Sequence, residues 1–312
     1  MEEQYIVSAR KYRPAVFKDV VGQQAVTDTL INSIKNNTLA QSFLFCGPRG
    51  VGKTTCARIL SKAVNAENID ELDQLSDEDL SVFELDAASN NSVDNIRALI
   101  DQVRIPPPAD KKYKVYIIDE VHMLSAAAFN AFLKTLEEPP KYALFVLATT
   151  EKHKILPTIL SRCQVFDFSR IQIIDIVNHL KDIAAKENIQ AEEEALHVIA
   201  QKADGGLRDA LSIFDQMANF GSGVINYKSV IENLNILDVD TYFKATDFIL
   251  QGDFKSFLLL LDEIMRRGYD GHLFLIGLAQ HLRDLLVAMD PSTQALLEVS
   301  EQFKPKYIEQ AK

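Results

Sequence analysis

Five short apolar runs punctuate the first half of the chain: SFLFC (42–46), VFELD (82–86), KVYIID (114–119), ALFVLA (143–148) and QVFDF (164–168). They are nearly continuous rather than alternating, the pattern of strands covered on both faces. Between them, apolar positions recur at helical spacing and predict helices over 23–36, 53–65, 92–103, 125–138 and 157–162. Ser92 and Ser125 stand where N-caps belong, and Pro139-Pro140 ends the fourth helix. Strand alternating with helix predicts an α/β fold with a parallel sheet. From about residue 170 the strand pattern stops, and short helices are expected over 173–188, 192–204, 207–220 and 227–235. A third set is expected over 240–251, 253–267 and 271–289, punctuated by Gly252, Gly268 and Gly271. The tail 300–312 ends in a polar helical pattern without a clear stop, the expectation for a chain cut inside its last domain.

Composition narrows the class. A length of 312 residues exceeds one average domain, and 47% hydrophobic with 25% charged residues fits a soluble chain with real cores. No run of about 18 apolar residues exists, so no membrane span or membrane partner is expected. MEEQYIVSARKYRP (1–14) lacks the apolar stretch of a secretory signal. Three cysteines, Cys46, Cys56 and Cys163, make no framework, which fits a reducing cytoplasm. The formal net charge of -11 argues against a free-standing duplex-DNA binder, usually basic because its affinity comes from neutralising phosphates. Any nucleic acid must be met through local patches, helix dipoles or partners. The run 67–80 carries seven carboxylates and no Lys or Arg. It reads as a solvated acidic loop or short surface helix; the glycine and spacing of an EF-hand cation loop are absent.

The chemistry concentrates at strand ends. Gly47-Pro48-Arg49-Gly50-Val51-Gly52-Lys53-Thr54 fits GxxxxGK[ST], follows a predicted strand and opens a predicted helix. Glycines let backbone N–H groups wrap phosphates, and the helix N-terminus adds positive dipole. Lys53 supplies charge to the β/γ-phosphates, and the Thr54 hydroxyl suits Mg²⁺. KVYIIDEVH (114–122) delivers Asp119 and Glu120 at the carboxyl end of another strand, where open α/β sheets bind ligands. Asp119 suits Mg²⁺, directly or through water, and Glu120 suits polarisation of an attacking water, which favours hydrolysis over kinase chemistry. ALFVLATTE (143–151) brings Thr149 or Thr150 to the same edge. Charge gathered on the γ-phosphate calls for an arginine. Candidates are Arg162 in ILSRCQ (159–164) and Arg208 in GGLRDAL (205–211). Cys46, Cys56 and Cys163 read as small packing residues.

Together these residues resemble AAA+ ATPases, and more narrowly the tau/gamma family of bacterial DNA polymerase III clamp-loader subunits. The carrying motifs are ARKYRPAVFKDVVGQ (9–23), GPRGVGKTT (47–55), ELDAASNNSVDNIR (84–97), YIIDEVHMLS (116–125), FNAFLKTLEEPP (129–140), LATTEKHKILPTILSRCQ (147–164) and GGLRDAL (205–211). The resemblance implies a P-loop AAA+ domain over 1–169, a helical lid over 170–236 and a helical collar, apparently incomplete, over 237–312. It implies ATP and Mg²⁺ as cofactors and ATP hydrolysis as the activity. The implied partners are other clamp-loader subunits in a hetero-pentamer, a ring-shaped sliding clamp and primed DNA. It places Tyr12, Arg13, Val20 and Val21 at the adenine pocket, with Thr55 continuing the phosphate loop. Thr150 matches sensor 1 and Arg208 the sensor-2 arginine. Arg162 matches an arginine that reaches the ATP of a neighbouring subunit, and helix 125–138 matches the region that approaches the clamp. Because the collar drives pentamer formation in the family, the chain alone is expected to be monomeric.

Two departures stand out. Asn90, Asn91 and Ser92, with Arg97 nearby, lie where related chains carry basic residues; they either contact DNA phosphate or only cap the helix. The four-cysteine zinc module of the family is replaced by the acidic run 67–80, so no zinc is expected, while the ATPase elements flank the gap intact. Two other readings are a non-hydrolysing structural subunit of the same loader and a different AAA+ DNA-remodelling motor. Intact Lys53, Thr54, Asp119 and Glu120 argue against the first; the SRC and LKTLEEPP motifs argue against the second.

Overall fold

The computed structural model describes residues 6–66, 81–109, 111–221 and 223–312. The acidic run 67–80, and with it the reading of that run as a solvated loop, lies outside them. The described residues open with a single helical turn, α1 (Ser8–Lys11), and the amphipathic helix α2 (Gln24–Lys35). Strands and helices then alternate: β1 (Ser42–Cys46), α3 (Lys53–Ala63), β2 (Val82–Asp86), α4 (Val93–Val103), β3 (Lys114–Asp119), α5 (Ala126–Glu137), β4 (Ala143–Thr149), α6 (Pro157–Leu160) and β5 (Gln164–Asp167). All five strands fall on the predicted apolar runs. They form one parallel sheet in the order β2-β3-β4-β1-β5.

Period-two geometry sorts the strand residues between two cores. Phe43, Phe45, Val115, Ile117, Leu144 and Val146 pack on one face with α2 and α3, through Leu30, Cys56, Ile59 and Leu60. Leu44, Tyr116, Ile118, Phe145 and Leu147 pack on the other with α4 and α5, through Ile96, Leu99, Phe129 and Phe132. Phe43, Phe45, Phe132 and Phe145 are fully buried, each stabilising the fold by roughly 1.5–3 kcal/mol. Ser92 and Ser125 cap α4 and α5 by accepting from the N–H groups of Asn95 and Ala128. α5 ends before Pro139, as the restriction on residues preceding proline demands. Lys114 is buried, and its Nζ donates to the carbonyls of Gln102 and Ile105 at 3.0 and 3.2 Å, closing the end of α4. Burial holds this ammonium below its ordinary pKa.

The remaining elements are mainly helical: α7 (Ile173–Lys186), α8 (Glu193–Lys202), α9 (Leu207–Phe220), α10 (Tyr227–Asn233), α11 (Val239–Leu250), α12 (Phe254–Arg266), α13 (Gly271–Met289) and α14 (Lys304–Gln310). Strand structure does not stop at residue 170, contrary to the pattern reading. β6 (Gln190–Ala191) and β7 (Val224–Ile225) pair in parallel, and two residues are too few to show a period. Two compact units result. The first runs to Asp175 and adds Asp204–Ser212; the second takes Ile176–Ala203 and Ile213–Lys312. In the second, α11, α12 and α13 enclose Ala245, Ile264, Phe274 and Leu278. Leu285, Ala288, Leu297 and Tyr307 form another cluster. No described helix is long and apolar enough to cross a membrane.

Candidate functional site

The loop after β1 lies wholly within the first unit, and its glycines are required by its shape. Gly47, Gly50 and Gly52 have φ of +150°, +76° and +102°, which L side chains rarely adopt. At Gly47 space forbids a side chain as well: a Cβ would lie 2.4 Å from the carbonyl oxygen of Phe168. Gly52 is the left-handed N-cap of α3. The first-turn N–H groups of that helix have no intrahelical partners, so they suit an anion. Lys53 is 6% exposed. Its Nζ donates to the carbonyls of Gly47 and Pro48 at 2.7 and 2.6 Å. Burial lowers its pKa, against the opposing pull of Glu120 and Asp119.

The second strand end meets this loop. Asp119 closes β3, and its Oδ2 accepts from Thr54 Oγ1 at 2.7 Å, although β4 lies between β1 and β3 in the sheet. Asp119 Oδ1 accepts from the Glu120 N–H at 2.9 Å. Glu120 adopts φ +47°, a conformation that costs a non-glycine residue about 1–2 kcal/mol. Its Oε2 accepts from both Thr150 Oγ1 and Thr150 N–H, at 3.0 and 3.3 Å. A cavity of about 420 Å³ joins these groups. Lys53, Thr54, Thr55, Asp119 and Glu120 supply its polar lining. Tyr12, Val20, Val21, Ile171, Leu207 and Leu211 supply rings and apolar surface. Arg13, Arg49 and Arg208 add cations, and the Arg208 N–H donates to the Gly50 carbonyl at 3.3 Å.

Most sequence-predicted residues thus converge; Gly47 and Pro48 stand behind the lining, where their carbonyls hold Lys53, and Thr150 and Arg162 also do not line the cavity. Thr150 is engaged by Glu120 instead of facing the cavity directly. Arg162 lies outside its own chain's cavity lining. It pairs with Glu137 Oε1 at 2.7 Å, donates to the Thr158 carbonyl at 2.5 Å and keeps a side-chain exposure of 32%. Asn90 and Ser92 are used locally. Asn90 Nδ2 donates to the Asp86 carbonyl, Ser92 Oγ caps α4, and Arg97 pairs with Asp94 at 3.6 Å. The cysteines are packing residues. Burial raises Cys46 to about 11 and Cys56 and Cys163 to about 12, so none holds a thiolate near neutrality.

Sequence reasoning missed three participants. Asp86, at the end of β2, lines the cavity. Gln23 is buried and ties Ser169 to the phosphate loop: its Nε2 donates to the carbonyls of Ser169 (2.8 Å) and Val51 (3.4 Å), and its Oε1 accepts from Ser169 N–H. His122 lies beside Glu120, with Nδ1 2.9 Å from Thr149 Oγ1. Its signal was a polar, ring-bearing residue two positions after the Asp-Glu pair. A left-handed glycine loop, a buried ammonium and a hydroxyl–carboxylate pair fit a nucleoside triphosphate with Mg²⁺, which Thr54 and Asp119 could hold.

Comparison with known proteins agrees with that chemistry. A family model described as DNA polymerase III, delta subunit, matches residues 22–172; one described as DNA polymerase III clamp loader subunit, ATPase lid domain, matches 175–223. DNA polymerase III subunit tau of Bacillus subtilis is 42% identical over 95% of this chain and 55% of its own length. The tau subunit of Escherichia coli is 39% identical over 92% and 46%, so the chain spans about half the length of these relatives. The gamma subunit of Buchnera aphidicola (subsp. Acyrthosiphon pisum) is 38% identical over 89% of this chain and 80% of that one. The Holliday junction branch migration motor RuvB of Thermotoga maritima superposes with a TM-score of 0.56 at 20% identity, over 76% of this chain and 79% of that one, which shows the shared AAA+ fold. Identity at this level over four-fifths of a gamma subunit places the chain in the tau/gamma family of DNA polymerase III subunits.

Proposed function

We propose that this chain binds Mg-ATP and hydrolyses it as a motor subunit of a bacterial replicative clamp loader. The observation that carries the reading is the 2.7 Å Thr54–Asp119 hydrogen bond, which draws the glycine loop and the acidic strand end into one cavity. Gly47–Thr55 wrap the phosphates, and Lys53 exchanges its bonds to the Gly47 and Pro48 carbonyls for phosphate oxygens. Thr54 and Asp119 would hold Mg²⁺, which would offset phosphate charge when bound. Tyr12, Arg13, Val20 and Val21 receive the base. Glu120, steadied by Thr150, aligns the attacking water, and Arg208 meets the γ-phosphate in its own subunit.

Arg162 is assigned to a neighbour's ATP, because it keeps a solvent-facing share and is absent from its own cavity lining. Hydrolysis then depends on assembly. The apolar positions left exposed in the second unit, Phe254, Leu258, Leu259, Leu275, Ile276 and Leu286, support a collar that packs on related subunits. The lid and collar are assigned to 170–236 and 237–312. The assembly would open a ring-shaped sliding clamp on ATP binding and release it closed on primed DNA after hydrolysis, in the cytoplasm. ATPase activity measured with related loader subunits should rise when sliding clamp and primed DNA are added together. Stimulation by DNA alone, indifferent to the clamp, would overturn the assignment in favour of another AAA+ motor.

A further inference from the structure

We propose that His122 is a positioning residue for Glu120, fixing the carboxylate that aligns the attacking water and linking it to Glu151 at the surface. This inference rests on the ATPase reading above. The imidazole is almost wholly covered, with 5% of its side chain exposed, yet it meets three polar groups. Nδ1 lies 2.9 Å from Thr149 Oγ1 and 3.4 Å from Glu120 Oε2; Nε2 lies 3.2 Å from Glu151 Oε1. A carboxylate oxygen accepts only, so the ion-pair contact with Glu151 favours the ring with its hydrogen on Nε2. Thr149 is fully buried, and its Oγ1 already accepts from the Glu151 N–H at 3.0 Å. With the ring hydrogen on Nε2, Nδ1 is left to accept from the Thr149 hydroxyl, and the ring stands between Thr149 and Glu151.

That fixed ring stands against the one oxygen of Glu120 that Thr150 also engages through two hydrogen bonds. Thr150 holds Oε2 from one strand end, and His122 limits where the same oxygen can swing. Glu120 sits on a left-handed backbone at φ +47°, with no helix or strand of its own to fix its side chain, so its aim depends on such neighbours. On its other side the ring leads outward. Glu151 bonds Lys154 Nζ at 2.8 Å, and His153 lies 3.6 Å away, both on the exposed turn 152–154. A contact made by that turn is thereby two side chains, Glu151 and His122, removed from the carboxylate that orients water.

The test uses the full chain, with His122→Ala, the conservative His122→Gln and Glu120→Gln, alone and combined, by itself for binding and melts and assembled with related loader subunits for hydrolysis. Binding is read with a fluorescent ATP analogue, hydrolysis by single-turnover release of phosphate, and folding by thermal melts. His122→Ala should slow hydrolysis by about tenfold, the scale expected of a misaimed group, with the analogue's Kd changed by less than about twofold. His122→Gln, which keeps a donor and an acceptor, should recover most of that loss. In the Glu120→Gln background His122→Ala should have no further effect, because both act through one carboxylate. Multiplying effects in the double variant, or binding lost in step with hydrolysis, overturns the inference. So does His122→Gln failing with an unchanged melt. If His122→Ala melts early, the Glu151→Gln variant carries the same prediction at a smaller fold-change. If Glu120→Gln itself hydrolyses like wild type, the ATPase reading of Glu120 fails first; if only the His122 variants behave like wild type, this inference fails alone.

Discussion

Gly47→Ala and Gly52→Ala separate two demands that the phosphate loop places on its glycines. Both residues hold positive φ, +150° and +102°, so alanine at either pays a backbone cost of about 1–3 kcal/mol. Their surroundings differ. At Gly52 the nearest atom to a new Cβ is Val20 Cγ1 at 3.8 Å, an ordinary contact. At Gly47 the new methyl would lie 2.4 Å from the Phe168 carbonyl oxygen and 2.9 Å from Phe168 Cβ. The carbonyl is backbone, anchored by the 2.7 Å bond from Phe168 N–H to the Cys46 carbonyl, and has no rotamer by which to yield. Relief requires shifting the chain after β5, at about 1–3 kcal/mol more, the usual cost of overpacking. Gly47→Ala should therefore destabilise the first unit by about 2–6 kcal/mol and Gly52→Ala by about 1–3 kcal/mol. At about 2–4 °C per kcal/mol for a unit of this size, the two melts should differ by roughly 2–12 °C. Thermal unfolding without nucleotide, followed by a far-ultraviolet signal, isolates stability from binding. Equal melts for the two variants would refute the close approach of Phe168 to the loop.

Three further outcomes follow from the same geometry. Lys53→Ala should weaken ATP binding by about 30-fold or more, the loss of a buried charge from its phosphate partner, in an equilibrium titration; unchanged affinity would remove Lys53 from the site. Arg162→Ala should leave nucleotide binding by the isolated chain intact while hydrolysis by the assembled loader falls by about a thousandfold, measured as steady-state phosphate release. Equal losses in isolated and assembled forms would place the arginine in its own site. Acid should loosen the second unit, because burial holds His179, His197 and His281 below their ordinary pKa of 6.5. A lowered folded value means the unfolded chain binds more protons, so stability is full above 6.5 and is lost as pH falls through the lowered values. Melts between about pH 7.5 and 5.5 should show the fall, and His281→Gln should shrink it.

The sheet was legible because its strands are covered on both faces, which turns position into composition. Five apolar runs gave five strands, with ends differing by at most one residue from the pattern. Gly47 to Thr55, Asp119 and Glu120 were legible because phosphate chemistry constrains both residue type and spacing. What escaped was fixed by three-dimensional closure. Gln23 bonds Ser169, 146 positions away, and no local pattern encodes that partner. Thr149 or Thr150 was expected at the edge that carries the phosphate loop; that the Thr150 hydroxyl bonds Glu120 there is set by the neighbouring strand, which no local pattern encodes. His122 was hidden for the same reason, since its partners arrive from the end of β4. The pair β6–β7 was invisible because two residues carry no periodicity.

The all-parallel topology has a consequence for how such a chain can vary. Every strand of the sheet runs the same way, so each strand-to-helix turn gathers at one edge and each return from helix to strand begins at the other. α3 carries the chain through 11 residues from the phosphate loop to that far edge, a distance of about 16 Å. α3 therefore ends, and β2 begins at Val82, on the side of the sheet away from the phosphate loop. The fold thereby keeps the starting ends of its strands apart from the edge that carries Lys53, Asp119 and Glu120, so a change confined to a return turn leaves that edge in place.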